Sequence, residues 1–382
     1  MNIVVAPDSF KGSLTSIQAS QIMRNSIITI LPESTVVLKP MADGGEGTLE
    51  ALLTATKGEE ISVSCTGPLG SRIITTYAIV GRKTAIIECA SVAGLIQVPS
   101  DNRNPDLTST YGIGELMVDA MNKGCTEFVI GLGGSATNDG GLGMLQALGM
   151  EAFDSKGEKV GPFGNDLHQV RKVDLSGIDH RLANVSIKVA CDVDNPLCGE
   201  KGATKVYGPQ KGATAEQLIL YDKSLQRYGS LIEKEVNRSL VGISGSGAAG
   251  GLGFALLAIG ANLVSGANLL ADAMNVEQSI MKADLVITGE GQSDEQTLYG
   301  KAPGYIASLS KKHNVPVILI SGSLSGDLNV LREKFSGCFS INTKPMSLKE
   351  SMEKANVLLF EQTKQVIHLV DSIWRTKKLK KK

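Results

Sequence analysis

The chain has 382 residues, 42% of them hydrophobic and 20% charged, with a formal net charge of −1. This is the composition of a folded globular protein, long enough for two domains of ~150 residues each. It excludes a domain-scale basic face for nucleic acid, and no apolar run approaches the ~18 residues that a membrane span needs.

The chain opens as a β-α-β unit. Ile3 to Ala6 is a short apolar run suited to a strand buried on both faces. The loop Pro7-Asp8-Ser9-Phe10-Lys11-Gly12 follows. Thr15 and Gln18 then form a capping-box pair ahead of a helix in which Met23, Ile27, Ile30 and Leu31 keep helical spacing. Val36 to Leu38 reads as a second strand, and Ala42-Asp43-Gly44-Gly45-Glu46-Gly47 leads into a second helix. Nothing at this end has the basic and then apolar pattern of a signal peptide, so the expected compartment is the cytoplasm.

From about residue 60 the pattern changes. Ile61–Cys65, Arg72–Val80 and Thr84–Cys89 read as an antiparallel meander. Regular alternation returns near 265, with a helix over 266–282, strands over 284–288, 315–321 and 338–341, a helix over 303–313 and a terminal helix over 347–374. The expected fold is α/β in two domains. Residues 1–60 and 265–382 form a doubly wound parallel-sheet domain of Rossmann or flavodoxin type, and 61–264 form a mixed α/β domain inserted into it. Lysines 377, 378, 380, 381 and 382 read as a solvated tail.

Six cysteines and four histidines are scattered, with no Cys-x-x-Cys pair, which excludes a clustered zinc site or a disulfide framework. The 43 glycines exceed the ~7% of an average protein and cluster at predicted strand ends. Ligands of open parallel sheets sit beyond the carboxyl ends of the strands. The loops there carry Asp8 and Lys11, Asp43 and Glu46, and Glu290 and Asp294.

Several segments carry chemistry. Gly131-Leu132-Gly133-Gly134-Ser135-Ala136-Thr137-Asn138-Asp139-Gly140-Gly141 follows a strand and exposes backbone N–H groups suited to phosphate oxygens. It contains a GxGxxA match, with Glu151 near the spacing of a ribose-binding acid, but Thr137 to Gly141 interrupts the place where the helix of a dinucleotide fingerprint should start. A second glycine-rich run, Gly242 to Gly253 with Ser244, could cradle phosphate or carboxylate, or pack closely through its small residues. Asp192, directly after a predicted strand, is placed to act as a general base or Mg²⁺ ligand. Glu290 and Asp294, with Lys301 beyond, could hold Mg²⁺ and neutralise phosphate charge. No Walker A motif occurs: Gly300-Lys301 is followed by Ala302. The protein-kinase signatures are missing as well.

Five of these segments, in order and nearly end to end, resemble the bacterial glycerate kinase type 1 family: Pro7 to Ser13, Ala42 to Thr48, Gly133 to Gly141, Cys191-Asp192-Val193 and Thr288 to Gly291. The resemblance implies two α/β domains with the active site between them. It also implies ATP- and Mg²⁺-dependent phosphorylation of D-glycerate, usually at the 2-hydroxyl. The resemblance marks these segments as site-forming and leaves open which carboxylate does which job: the expected catalytic residues are Asp192, as the base, Lys11 and Asp8, with Asp8, Glu290 and Asp294 each a candidate for Mg²⁺ or the substrate hydroxyls. Ser9, Asp43, Glu46 and Ser244 are expected to meet substrate, and Gly133, Gly134, Ser135, Thr137 and Asn138 the nucleotide phosphates. Glu290 and Asp294 are expected to meet the metal. Two rival readings stand beside this one: a nicotinamide-dependent oxidoreductase of a small hydroxy acid, and a non-catalytic hydroxy-acid sensor.

Overall fold

The computed structural model describes residues 1–42, 58–298 and 301–379. The two principal sheets use strands β1 (Asn2–Val5), β2 (Thr35–Leu38), β3 (Glu59–Thr66), β4 (Arg72–Val80), β5 (Thr84–Glu88), β6 (Glu127–Gly131), β7 (Ser186–Ala190), β8 (Asn262–Val264), β9 (Leu285–Thr288), β10 (Val317–Ser321) and β11 (Gly337–Ser340). The chain divides into two compact units, Met1–Asp43 with Ala267–Lys382, and Gly44–Gly266.

In the first unit five parallel strands lie in the order β11-β10-β9-β1-β2. The central strands are apolar throughout and buried, as strands covered on both faces must be. Ile3, Val5, Ile287 and Ile320 share one core with Ala19, Met23 and Ile27 of the helix Ser16–Ile30 and with Leu359, Val366 and Ile367 of the helix Ala355–Leu379. Val4, Val286 and Leu319 alternate to the other face, and the helix Ala302–Lys312 packs on β9 and β10 with Ile306, Ala307 and Leu309 buried. The first helix starts as its sequence requires: Thr15 Oγ1 accepts from the Gln18 N–H at 3.2 Å, and the Gln18 side chain accepts from the Thr15 N–H at 3.0 Å. This strand order is that of a doubly wound sheet. The chain winds one way from β1 to β2 and the other way from β9 outward, so the topological switch point lies between β1 and β9.

In the second unit the order is β8-β7-β6-β5-β4-β3. β3, β4 and β5 run antiparallel, while β5, β6, β7 and β8 run parallel. The predicted meander and a parallel half therefore share one sheet, and the parallel half sends four strand ends to one edge. Its core joins Ile87, Phe128, Ile130 and Val189 to Ile113, Leu116 and Met117 of the helix Tyr111–Asn122 and to the wholly buried segment Ala248–Ala258, which is helical beyond a kink at residues 249–251.

Two expected helices are each divided. The stretch 266–282 breaks at Asn275, which is left-handed at φ 53°, into Gly266–Ala273 and Val276–Ile280. The terminal stretch breaks at Lys354 into Leu348–Glu353 and Ala355–Leu379. Among the described residues no helix is long and apolar enough to cross a membrane.

Candidate active site

At the switch point of the first unit, the loops after β1 and β9 meet. Phe10 is buried and closes a tight turn, exchanging backbone hydrogen bonds with Leu14 at 2.9 and 3.0 Å. Ser9 and Lys11 flank it. Asp8 is 7% exposed, and its Oδ1 accepts from the Ser9 N–H at 2.6 Å while its own N–H donates to the Gly289 carbonyl. The β9 loop comes so near that a Cβ on Gly291 would stand 3.2 Å from the Lys11 nitrogen. A side chain there would push the two loops apart.

Asp8, Ser9, Lys11, Glu290, Asp294 and Lys301 all line one pocket of about 490 Å³. Glu290 is 7% exposed: its Oε1 accepts from the Ser293 hydroxyl at 2.9 Å and the Thr297 hydroxyl at 2.6 Å, and Lys301 Nζ lies 3.7 Å from its Oε2. The hydroxyls fix the carboxylate's orientation and the ammonium keeps charge near balance. The far wall is less polar, with Phe10, Ile341, Leu348 and Met352.

Among the described residues no three carboxylate, imidazole or thiol groups converge as a metal cluster. A magnesium site needs less, because the ion keeps several waters and uses one or two carboxylates beside substrate phosphates. The hard oxygens of Glu290 and Asp294 in one pocket fit that demand.

In the second unit the expected residues lie at the carboxyl ends of adjacent parallel strands. Gly131 pairs with Ala190, so the glycine loop after β6 and the turn after β7 leave the sheet side by side. Asp192 is exposed, with its Oδ1 accepting from the Gly266 N–H beyond β8 at 3.2 Å. Ser244 is exposed beside this turn, because Gly245 packs on it so tightly that a Cβ would reach 3.0 Å from Cys191 Sγ.

The glycine loop is held more firmly than its composition suggests. Gly133 and Gly134 reach the surface, while Ser135 is 6% exposed and Thr137, Asn138 and Asp139 are fully buried. Asn138 Nδ2 donates to Thr204 Oγ1 at 2.9 Å. Asp139 is the loop's foundation, accepting from the Thr110 N–H and hydroxyl at 2.9 and 2.7 Å and from the Gly141 and Gly143 N–H groups at 3.1 and 3.2 Å. Burial raises its pKa, and these donors act in the opposite direction. The Thr110 hydroxyl also accepts from the Met144 N–H at 3.0 Å, which ties the loop's support to the helix Leu142–Ala147.

A residue with no motif to announce it completes the loop. Lys211, 2% exposed, donates from Nζ to Ser135 Oγ at 2.9 Å and to the Thr137 carbonyl at 2.6 Å. It lies 76 residues from Ser135, and nothing local in the sequence marks it.

The second glycine-rich run packs through its small residues. Ala249, Gly250 and Gly251 are consecutive left-handed residues at φ 52°, 68° and 92°, and the Gly140 N–H donates to the Gly250 carbonyl at 2.9 Å. The dinucleotide fingerprint is overturned, since the helix after the loop is Leu142–Ala147 and does not open inside the glycine pattern. Glu151, its supposed ribose acid, is instead in the strand Glu151–Phe153 and is ion-paired with Lys159. Asp43 and Glu46 lie outside the described residues.

Residues 3–371 match the model of the glycerate kinase family. A glycerate kinase of Halalkalibacterium halodurans is 45% identical over 373 residues, covering 97% of this chain and 98% of the relative. The glycerate 2-kinase of Escherichia coli K12 is 43% identical over 358 residues, covering 93% and 94%. A crystal structure assigned as a glycerate kinase 2 from Salmonella typhimurium LT2 superposes with a TM-score of 0.88 at 40% identity, covering 98% of this chain and 99% of the other.

Proposed function

Because the chain belongs to the glycerate kinase family, we propose that it transfers the γ-phosphoryl group of ATP to D-glycerate, at the 2-hydroxyl, in the cytoplasm. The observation that carries the reading is the gathering of Asp8, Lys11, Glu290, Asp294 and Lys301 in one pocket at the switch point of a doubly wound sheet. Two ammonium groups and three carboxylates suit a phosphate-bearing, metal-assisted reaction and do not suit hydride transfer.

Phosphoryl transfer is mostly positioning and neutralisation of charge. Asp192 accepts the proton of the glycerate hydroxyl as that oxygen forms its bond to the γ-phosphorus. The bond from phosphorus to the bridging oxygen breaks, and ADP leaves with its electron pair. Lys11 and Lys301 offset the negative charge of the transferring group or of the glycerate carboxylate. Glu290 and Asp294 would hold a magnesium ion, which when bound would supply charge neutralisation at the phosphate oxygens. Ser9 and Ser244 orient the hydroxy acid. The surface glycines of the 133–138 loop meet nucleotide phosphates, while Thr137 and Asn138 serve from inside as its support.

The test is ADP release from ATP and Mg²⁺ with D-glycerate, L-glycerate, glycolate or no acceptor, and phosphorus NMR of the product. ADP formed only with D-glycerate, with a 2-phosphate signal, is the expected result. No acceptor-dependent ADP from folded protein would reject the reading.

A further inference from the structure

We propose that Lys211 is a positioning residue for the loop 133–138, its buried ammonium setting the outward face of that loop for an anionic ligand. The inference rests on the reading that this loop meets nucleotide phosphates.

A backbone turn receives an anion only where its N–H groups face outward and its carbonyl dipoles are tied elsewhere. Three carbonyls of this loop are held by protein donors: Gly134 by the Leu95 N–H at 2.8 Å, Ala136 by the Thr108 hydroxyl at 3.5 Å and Thr137 by Lys211 at 2.6 Å, while the Ala136 N–H is turned inward to the Ala93 carbonyl at 2.8 Å. The Ser135 hydroxyl is drawn to the same ammonium at 2.9 Å. Burying an ammonium is unfavourable unless it is paired and hydrogen-bonded. A lysine that served only to fill space here would be better replaced by methionine.

What the ammonium adds is directional hold on two loop atoms, together with positive charge in a poorly screened interior. The charge is tempered by its surroundings, since Asp139 is the acidic group acting on Lys211 from the loop, and the Cys89 thiol faces it from the end of β5. Lys211 is itself fixed from behind. It ends the turn Pro209–Lys211, and Gly212 follows at φ 86°, so close to Arg103 that a Cβ would fall 2.0 Å from the Arg103 carbonyl oxygen. The ammonium cannot follow the loop outward. It holds the loop at a set depth.

The experiment measures Mg·ADP affinity by calorimetry, together with separate KM values for ATP and D-glycerate. The proteins are wild type, Lys211→Met, Lys211→Gln and Lys211→Arg, with folding checked by circular dichroism. The expected result is a tenfold or greater loss of Mg·ADP affinity in the Met and Gln variants and a matching rise in KM for ATP. KM for D-glycerate should stay within twofold, and Lys211→Arg should recover part of the loss. A folded Met or Gln variant with wild-type Mg·ADP affinity overturns the proposal. So does failure of both to fold, which would make the ammonium a support of the core and not of the loop. Gly133→Asp separates the two layers of the argument by placing a carboxylate on the exposed part of the loop. If it leaves Mg·ADP affinity unchanged, the phosphate-loop reading itself fails. If it weakens binding while the Lys211 variants do not, only the role of Lys211 fails.

Discussion

The carboxylate of Asp192 accepts a hydrogen bond from the backbone N–H of Gly266 at 3.2 Å, tying the turn after β7 to the chain leaving β8. An asparagine at this position keeps an oxygen for that N–H, so the turn should hold its shape. The amide cannot take a proton. Asp192→Asn is therefore expected to lower kcat by ~10²–10⁴, the usual range for a lost general base, with a melting temperature within about 2 °C of wild type. Near-normal turnover in the folded variant would remove Asp192 from the role of base.

Glu290 has its two oxygens in different employment: Oε1 receives two hydroxyls, and Oε2 faces Lys301 at 3.7 Å. Glu290→Gln can keep the hydroxyl contacts through its single oxygen, but its NH₂ then points at an ammonium and the negative donor is gone. The Mg²⁺ concentration for half-maximal activity is expected to rise about tenfold or more, and a titration of activity against Mg²⁺ measures it. An unchanged Mg²⁺ requirement would show that Glu290 orders the pocket without meeting the metal.

How far these sites could be read beforehand depended on whether the signal was local. Asp8, Lys11, Glu290 and Asp294 lie in short loops after apolar runs, and the rule that ligands sit at strand ends was enough to group them. The capping pair Thr15 and Gln18 was equally local and is present as expected. Lys211 depends on a fold-back over 76 residues with no periodicity or motif near it. The role of Thr137 and Asn138 turned on burial, because a polar run after a strand looks the same in sequence whether its side chains meet a ligand or the interior. The helix breaks at Asn275 and Lys354 were hidden because apolar spacing continues on both sides of each.

Asp139 should be a stability residue before it is a catalytic one. Replacing it by alanine leaves the N–H groups of Thr110, Gly141 and Gly143 and the Thr110 hydroxyl without their acceptor in a site closed to water. Each buried donor left unmade costs about 1–3 kcal/mol, so Asp139→Ala is expected to lose roughly 3 kcal/mol or more in urea denaturation. A loss below about 1 kcal/mol would mean that water reaches the site.

Gly250 tests the packing behind the same loop. At φ 68° it is in a region that side chains rarely adopt, and a Cβ there would stand 2.0 Å from the Thr137 carbonyl oxygen, the atom that Lys211 grips. Gly250→Ala must therefore strain its own backbone and push the loop. The expected cost is at least 1–2 kcal/mol, from left-handed strain and overpacking together. Mg·ADP affinity should fall as well, and calorimetry on the folded variant decides it. Wild-type affinity in Gly250→Ala would show that the loop's ligand face is independent of its rear packing.

The Lys211 ammonium should also be visible in the pH dependence of stability. Burial pushes it down from the usual lysine range to about 8, against the opposing pull of Cys89 and Asp139. The folded protein then releases this proton near pH 8, while the unfolded chain keeps it until about 10.4. Between those values the unfolded state binds more protons, so stability rises with pH across the window; below pH 8 the cost of the buried charge is present in full. The Cys89 thiol, pushed up to about 12 in the folded protein, ionises near ~8.5 in the unfolded chain and so lowers stability with rising pH over the same window, but it does so in both proteins compared below. At about 1.36 kcal/mol per pK unit, the window is worth roughly 3 kcal/mol. Urea denaturation of wild type and Lys211→Met at pH 7.5 and pH 10 isolates it, because titrations common to both cancel in the difference. The stability of wild type relative to Lys211→Met is expected to increase between the two pH values. A difference that does not change with pH would mean that Lys211 keeps an ordinary lysine pKa and that its site is hydrated. The charge holding the glycine loop would then be screened by water and not directed at it.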